Sequence, residues 1–183
     1  MKVLGISGSL RRDSHNRRLL LEAAHHLPPD VELELFDGLK AVPPYDEDDD
    51  VVPAHPAVQA LRDAIAGADA VLIATPEYNS SVPGQLKNAV DWASRPRAGA
   101  VLENKPVAVI SASTGSFGGV WAQADLKRIL GTAGARVVGD ELAVPRAHER
   151  LAEHGRLLHD EEQAVALVDA LVAEACPGAL VAT

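Results

Sequence analysis

Apolar and polar positions alternate along this chain in two periods that take turns. Lys2–Ile6 is a short apolar run that predicts a buried strand, and Asn16–Leu27 then places Leu19, Leu20, Ala23, Ala24 and Leu27 at helical spacing. Pro28-Pro29 ends that helix. Val31–Phe36 sets Val31, Leu33 and Leu35 against Glu32 and Glu34, which suits a strand with one exposed face. Pro56–Ala66 predicts a second helix, with Val58, Leu61, Ala64 and Ile65 on one side. Ala70–Ala74 is apolar throughout, as a central parallel strand is. Pro83–Ala93 predicts a third helix, Pro83 being preset for its first turn. Val107–Ile110, Val120–Thr132, Arg136–Val138 and Asp160–Ala175 continue as strand, helix, short strand and helix.

Strands alternating with helices of this length imply βαβ units and a parallel sheet covered on both faces. The expected fold class is α/β: a flavodoxin-like three-layer sandwich with a five-stranded parallel sheet. No internal repeat or linker divides it, so residues 1–183 are expected to form a single domain. The one conspicuous loop is Ala41–His55, which holds the acidic run Asp46–Asp50 and reads as a solvated charge run rather than a cation site.

Composition narrows the function. The 183 residues carry a formal charge of −9, with 47% hydrophobic and 23% charged residues, which is ordinary for a soluble globular protein. An acidic chain of this kind is a poor nucleic-acid binder. No apolar run approaches the ~18 residues that cross a bilayer. The start lacks the roughly 7–15-residue apolar stretch of an export signal, so a cytoplasmic location is expected. One cysteine, Cys176, excludes an internal disulfide framework and a multi-cysteine zinc site. His148, His154 and His159 miss metal-ligand spacing, so no metal is expected.

In an open parallel sheet, ligands bind beyond the carboxyl ends of the strands, near the switch in strand order. Three segments there stand out. Gly8–Arg18 places Ser9, Arg11, Ser14 and Asn16 between strand and helix, with four arginines in an acidic protein. Helix N–H groups, hydroxyls and a guanidinium suit a phosphate. Ser14 also reads as a simple helix cap. The run is neither Gly-x-x-x-x-Gly-Lys nor Gly-x-Gly-x-x-Gly. Thr75–Gly84 offers Pro76, Glu77, Tyr78 and Asn79 on a proline-fixed loop suited to a planar heterocycle, though a crossover turn explains it as well. Ser111–Gly119 adds a glycine-rich loop containing Ser113 and Gly115.

Gly-Ser-Leu-Arg-x-x-Ser-x-Asn, then Pro-Glu-Tyr-Asn-x-Ser-x-Pro-Gly-x-Leu-Lys-Asn-x-x-Asp-Trp, then Ser-x-Gly-x-x-Gly-Gly, run in order from Lys2 to about Val138. In this the chain resembles the NADPH-dependent FMN reductase family, which includes chromate-, quinone- and azo-reducing flavoproteins. The resemblance implies that Ser9, Arg11, Ser14 and Asn16 hold the FMN phosphate and ribityl atoms. It implies that Pro76, Glu77, Tyr78 and Asn79 meet the isoalloxazine, largely through backbone groups, and that Ser113 and Gly115 line its other edge. It further implies a ping-pong cycle in which NADPH or NADH reduces bound FMN and a small-molecule acceptor (a quinone, free flavin, azo compound or chromate) takes the electrons. No catalytic side chain is then required, because the flavin carries the hard chemistry. A homodimer or homotetramer is implied, with Pro83–Ala93 near the contact; Trp92 and Trp121 are expected to pack rather than catalyse, and both are also candidates for an interface, which aromatics favour. The alternative is a one-electron FMN carrier of flavodoxin type, against which Arg11 speaks. A third, a fold that has lost its cofactor, sits badly with the intact second motif.

Overall fold

The computed structural model describes residues 1–158 and 161–175. Five strands, β1 (Lys2–Ser7), β2 (Glu32–Leu35), β3 (Ala70–Thr75), β4 (Pro106–Ala112) and β5 (Arg136–Val144), form one parallel sheet in the order β2-β1-β3-β4-β5. This is the flavodoxin-like order, and strand order reverses between β1 and β3. β3 and β4 are buried at every position, which is why they read as unbroken apolar runs. In edge strand β2, Leu33 and Leu35 are half-buried while Glu32 and Glu34 are exposed.

Helices α2 (Pro56–Ala66), α3 (Gly84–Ala93) and α4 (Val120–Thr132) cover one face, packing Leu61, Ile65, Leu86, Trp92 and Leu126 on Leu4, Ile6, Ile73 and Val109. Helices α1 (His15–Ala24) and α6 (Glu161–Ala175) cover the other, with Leu19, Leu20, Leu167 and Leu171 on Val3, Leu72 and Ile110. α5 (Ala147–His154) lies at the edge of that second layer through Ala147 and Leu151.

Three elements differ from the sequence expectation. α1 stops at Ala24, three residues short of Leu27. β5 runs nine residues instead of three, because its register on β4 shifts between Ala108 and Ile110. The irregularity spans Gly139 (φ +78°) and the polar pair Asp140-Glu141, which interrupts the apolar signature without ending the strand. α5 was not expected at all: among its eight residues only Ala147 is buried, so it presents no apolar stripe to read. The last helix begins in the structure at Glu161, its expected first residue Asp160 lying outside the described residues, as do His159 and Cys176.

Candidate active site

The loops that follow β1, β3 and β4 meet at the switch point, because these strands are neighbours in the sheet. Side chains fasten the first two loops to the elements that flank the third. Asn16, 2% exposed, donates its amide to Ala112 O and accepts from Ala112 N, both at 2.9 Å, and so ties the first loop to the end of β4. Glu77 accepts from Trp121 N at 3.1 Å and Ala122 N at 3.2 Å, and Ser81 Oγ donates to Asp125 Oδ2 at 2.8 Å. These contacts tie the second loop to α4. The helix needs the first, since its own N-cap is Gly119, which has no side chain to offer.

In the first loop, Ser14 is the N-cap of α1, accepting from Arg17 N at 3.2 Å, and its hydroxyl lies 3.5 Å from Ser7 Oγ. Ser9 O accepts from Ser7 Oγ at 3.3 Å. Gly8 donates to Ala74 O, and a Cβ there would come within 2.7 Å of Leu86 and 3.2 Å of Pro76, so the glycine lets the loop cross β3 closely. Arg11 and Arg12 are exposed and make no ion pair with any described residue, whereas Arg17 pairs with Asp37 and Arg18 with Glu22. His15, at the first position of α1, is held below its ordinary pKa by partial burial and by the charges of Arg11, His148 and Arg18. The loop therefore carries unneutralised positive charge beside a capped helix N-terminus.

The second loop closes with a tight turn in which Tyr78 and Ser81 exchange backbone hydrogen bonds at 3.1 and 3.2 Å. Its central residues, Asn79 and Ser80, have φ of 52° and 59°, the signature of a type I′ turn. The turn carries Tyr78 outward, 50% exposed. Arg11 and Tyr78, from different loops, line one cavity of about 330 Å³ with Gly8, Leu10, Pro83 and Gln85.

The third loop is held from both sides. Ser113 donates to Val144 O and accepts from Ala147 N, and Gly115 O accepts from Arg146 N. Beneath it, Ser111 Oγ donates to Gly118 O at 2.6 Å and accepts from Gln123 Nε2 at 2.8 Å. Gly118 and Gly119 have positive φ, and a Cβ at Gly118 would fall 2.9 Å from the β5 backbone. These glycines admit the protein's own strand.

The third helix motif turns out to fasten a loop. Gln85, Asn88 and Trp92 share one face of α3 and bond Leu39 O, Val42 O, Pro43 O and Tyr45 N, at 2.7 to 2.9 Å. Trp92 is 1% exposed, a packing residue as expected, which leaves it no surface for the alternative place at a subunit interface. Trp121 is half exposed. The acidic run is partly anchored: Asp50 pairs with Arg62 at 2.9 Å, Arg62 also bonds Trp92 O, and Asp46 caps the following turn, while Glu47, Asp48 and Asp49 face solvent. His148 and His154 lie 3.7 and 3.6 Å from Glu149 and Glu153.

Of the residues expected at the site, the structure brings Arg11 and Tyr78 to one cavity and places Ser9, Asn79 and Pro76 in the loops around it. Asn16 and Glu77 spend their side chains on fastening, and the Ser113 hydroxyl accepts from Gly115 N. Sequence reasoning missed Gln85, Asn88 and Gln123; the i, i+3, i+7 spacing of Gln85, Asn88 and Trp92 was a visible sign of a shared face.

A switch-point cavity between a cationic, helix-capped loop and an exposed tyrosine has the chemistry that suits a phosphorylated planar ligand on an α/β fold. Residues 1–149 match the family described as NADPH-dependent FMN reductase. The chain is 43% identical over 162 residues to an NAD(P)H-dependent FMN reductase of Pseudomonas aeruginosa, covering 88% of this chain and 86% of that one. It is 43% identical over 130 residues, 70% of this chain and 69% of the other, to a 2-hydroxy-1,4-benzoquinone reductase of a Burkholderia species. The solved flavoenzyme NAD(P)H:(acceptor) oxidoreductase FerB of Paracoccus denitrificans superposes with a TM-score of 0.79 at 36% identity, covering 95% and 94% of the two chains. The chain therefore belongs to the NADPH-dependent FMN reductase family: it is an oxidoreductase whose family binds FMN and takes electrons from NAD(P)H.

Proposed function

We propose that this protein reduces quinones with NAD(P)H at a single FMN site. Arg11 carries the reading: it is exposed, makes no ion pair with any described residue, and shares the cavity with Tyr78. A guanidinium left unneutralised in a chain of net charge −9 suits a permanent anion such as the FMN phosphate. Ser9 and the hydroxyl of Ser14 would join it in holding the phosphate, Asn16 sets the loop's distance from β4, and the Pro76–Asn79 backbone, Ser113 and Gly115 would hold the ring. When bound, the flavin supplies hydride acceptance and two-electron release.

The chain's own part is positional. The three loops are cross-fastened, so the walls of the slot stay fixed while reductant and acceptor visit in turn, a ping-pong order. Backbone N–H groups of the third loop other than those of Ser113 and Gly115, which are bonded within the protein, would stabilise charge on the bound ring, and no side chain would have to titrate. The balanced reaction is NAD(P)H, one proton from solvent and a quinone giving NAD(P)⁺ and a hydroquinone. Free flavin, azo compounds and chromate are further acceptors of the same open site. The relatives named for FMN and benzoquinone reduction support this reading. The working protein is a cytoplasmic, single-domain chain, assembled as a dimer or tetramer.

The test is a visible absorption spectrum of the purified protein followed by anaerobic NADPH. Flavin bands that bleach on NADPH alone, and return on adding 1,4-benzoquinone, are the expected result. Bands that persist until a reductase protein is supplied would make it an electron carrier. A protein that stays colourless after incubation with FMN would overturn the reading altogether.

A further inference from the structure

Half of the six aromatic residues in this chain are exposed, and all three stand on the same edge of the sheet: Tyr78, Phe117 and Trp121. The other three, Phe36, Tyr45 and Trp92, pack into the core. Phe117 and Trp121 form an edge-to-face pair with centroids 5.0 Å apart, yet remain 62% and 48% exposed. Such a pair gives up much of the benefit of burial by remaining wet, so its position calls for an occupant. It adjoins the cofactor slot directly: Trp121 N is bonded to Glu77, the residue before Tyr78, and Phe117 belongs to the third loop.

The charges around the pair decide what it can take. The groups joining the second loop to α4 are both carboxylates, Glu77 and Asp125, the latter with the Arg128 guanidinium 3.3 Å away. Arg146, whose N–H reaches Gly115, has Glu149 3.9 Å from its guanidinium. Arg11 and Arg12, exposed and without an ion pair among the described residues, both stand on the first loop, away from the aromatic pair. A dinucleotide with its pyrophosphate would meet carboxylates at the aromatic end, whereas an uncharged planar ring would meet only aromatic surface.

Resting on the quinone reductase reading above, we infer that Phe117 and Trp121 are the acceptor platform, which receives an uncharged quinone ring and sets acceptor preference. The NAD(P)H phosphates lie toward the first loop. Both side chains are exposed, so replacing them leaves the core intact.

The experiment uses the FMN-loaded protein and 1,4-benzoquinone. Trp121→Ala and Phe117→Ala are expected to raise KM for the quinone by about two- to tenfold, the range an aromatic pair contributes, with the loss in KM rather than kcat, and Trp121→Phe is expected to restore most of it. Without reductant, the quinone should quench the fluorescence of half-exposed Trp121 saturably, and Trp121→Phe should abolish that saturable component while buried Trp92 remains. An unchanged KM in both alanine variants, or quenching linear in quinone, overturns the platform. So does a smaller sedimenting species in Trp121→Ala, which would assign the patch to contact between two copies of this chain. Failure of the wild-type protein to oxidise NADPH with any quinone sinks the proposed function itself, a result distinct from an unchanged KM in a variant that turns over.

Discussion

Asn16 spends both ends of its amide on one peptide unit, that of Ala112, and is buried while doing so. Asn16→Ala removes two buried hydrogen bonds and leaves the Ala112 N–H and C=O without partners, which should cost about 2–4 kcal/mol of stability in urea unfolding. Asn16→Asp keeps the acceptor but sets a carboxylate oxygen against Ala112 O, and should be no better. A loss under about 0.5 kcal/mol would mean that water replaces the clamp. Arg11 is the opposite case, exposed and without an ion pair among the described residues. Arg11→Ala should leave unfolding above pH 6.5 unchanged and weaken FMN binding by about 1.5–3 kcal/mol, read by titration calorimetry. Wild-type affinity in that variant would remove Arg11 from the phosphate site. The two residues stand five apart in one motif, and only the structure separates fastening from binding.

Glu77 works between elements, supplying α4 with the N-cap that Gly119 cannot. Glu77→Ala should lower stability by about 1–2 kcal/mol, and Glu77→Gln should recover most of it because an amide oxygen also accepts. Equal loss in both would show that the charge on the helix N-terminus matters more than the bond. The turn beside it makes the same point in backbone terms. Ser80 holds φ of 59° where glycine is the ordinary choice, so Ser80→Gly should be neutral or stabilising and Ser80→Val should destabilise by about 1–2 kcal/mol in thermal unfolding. At this scale the sequence was legible wherever an element is buried on a regular period. β1, β3, β4 and helices α2 to α4 lie within a residue or two of expectation, because each has a continuous apolar face. β5 beyond Val138 and α5 were hidden because a bulge with Gly139-Asp140-Glu141 breaks one pattern and solvent exposure erases the other. The loops of the site were legible as composition, but the fastenings within them were not. Asn16–Ala112 joins residues 96 apart and Glu77–Trp121 residues 44 apart, and no local period reports such contacts.

Across the whole molecule, charge is unevenly placed: a chain of net −9 gathers Arg11, Arg12, Arg17 and Arg18 around one loop, with His15 among them. The site is thus a positive focus in a negative field, suited to drawing in a phosphate. His15 reports that focus. Burial comes first, then the charges of Arg11, His148 and Arg18, and all four disfavour the imidazolium, so its folded pKa lies below the ordinary 6.5. On acidification the unfolded chain therefore takes up its proton first. Between the folded pKa and 6.5 the unfolded state binds more protons, and stability contributed by this group falls as pH falls through that window, being fully present above it. Asp125 acts in the same sense further down: the Ser81 hydroxyl, then Arg128, holds its carboxyl below the usual range, and the tie between the second loop and α4 weakens as pH falls through that lowered value. Urea unfolding without added FMN should thus show stability rising with pH just below 6.5. His15→Gln should flatten that slope, and Asp125→Asn should leave it while removing the fall at lower pH. Arg11→Ala should also make the His15 window narrower, since it removes one of the charges opposing protonation. An undiminished slope in His15→Gln would mean that the acid sensitivity belongs to other groups and that the positive focus does not reach His15.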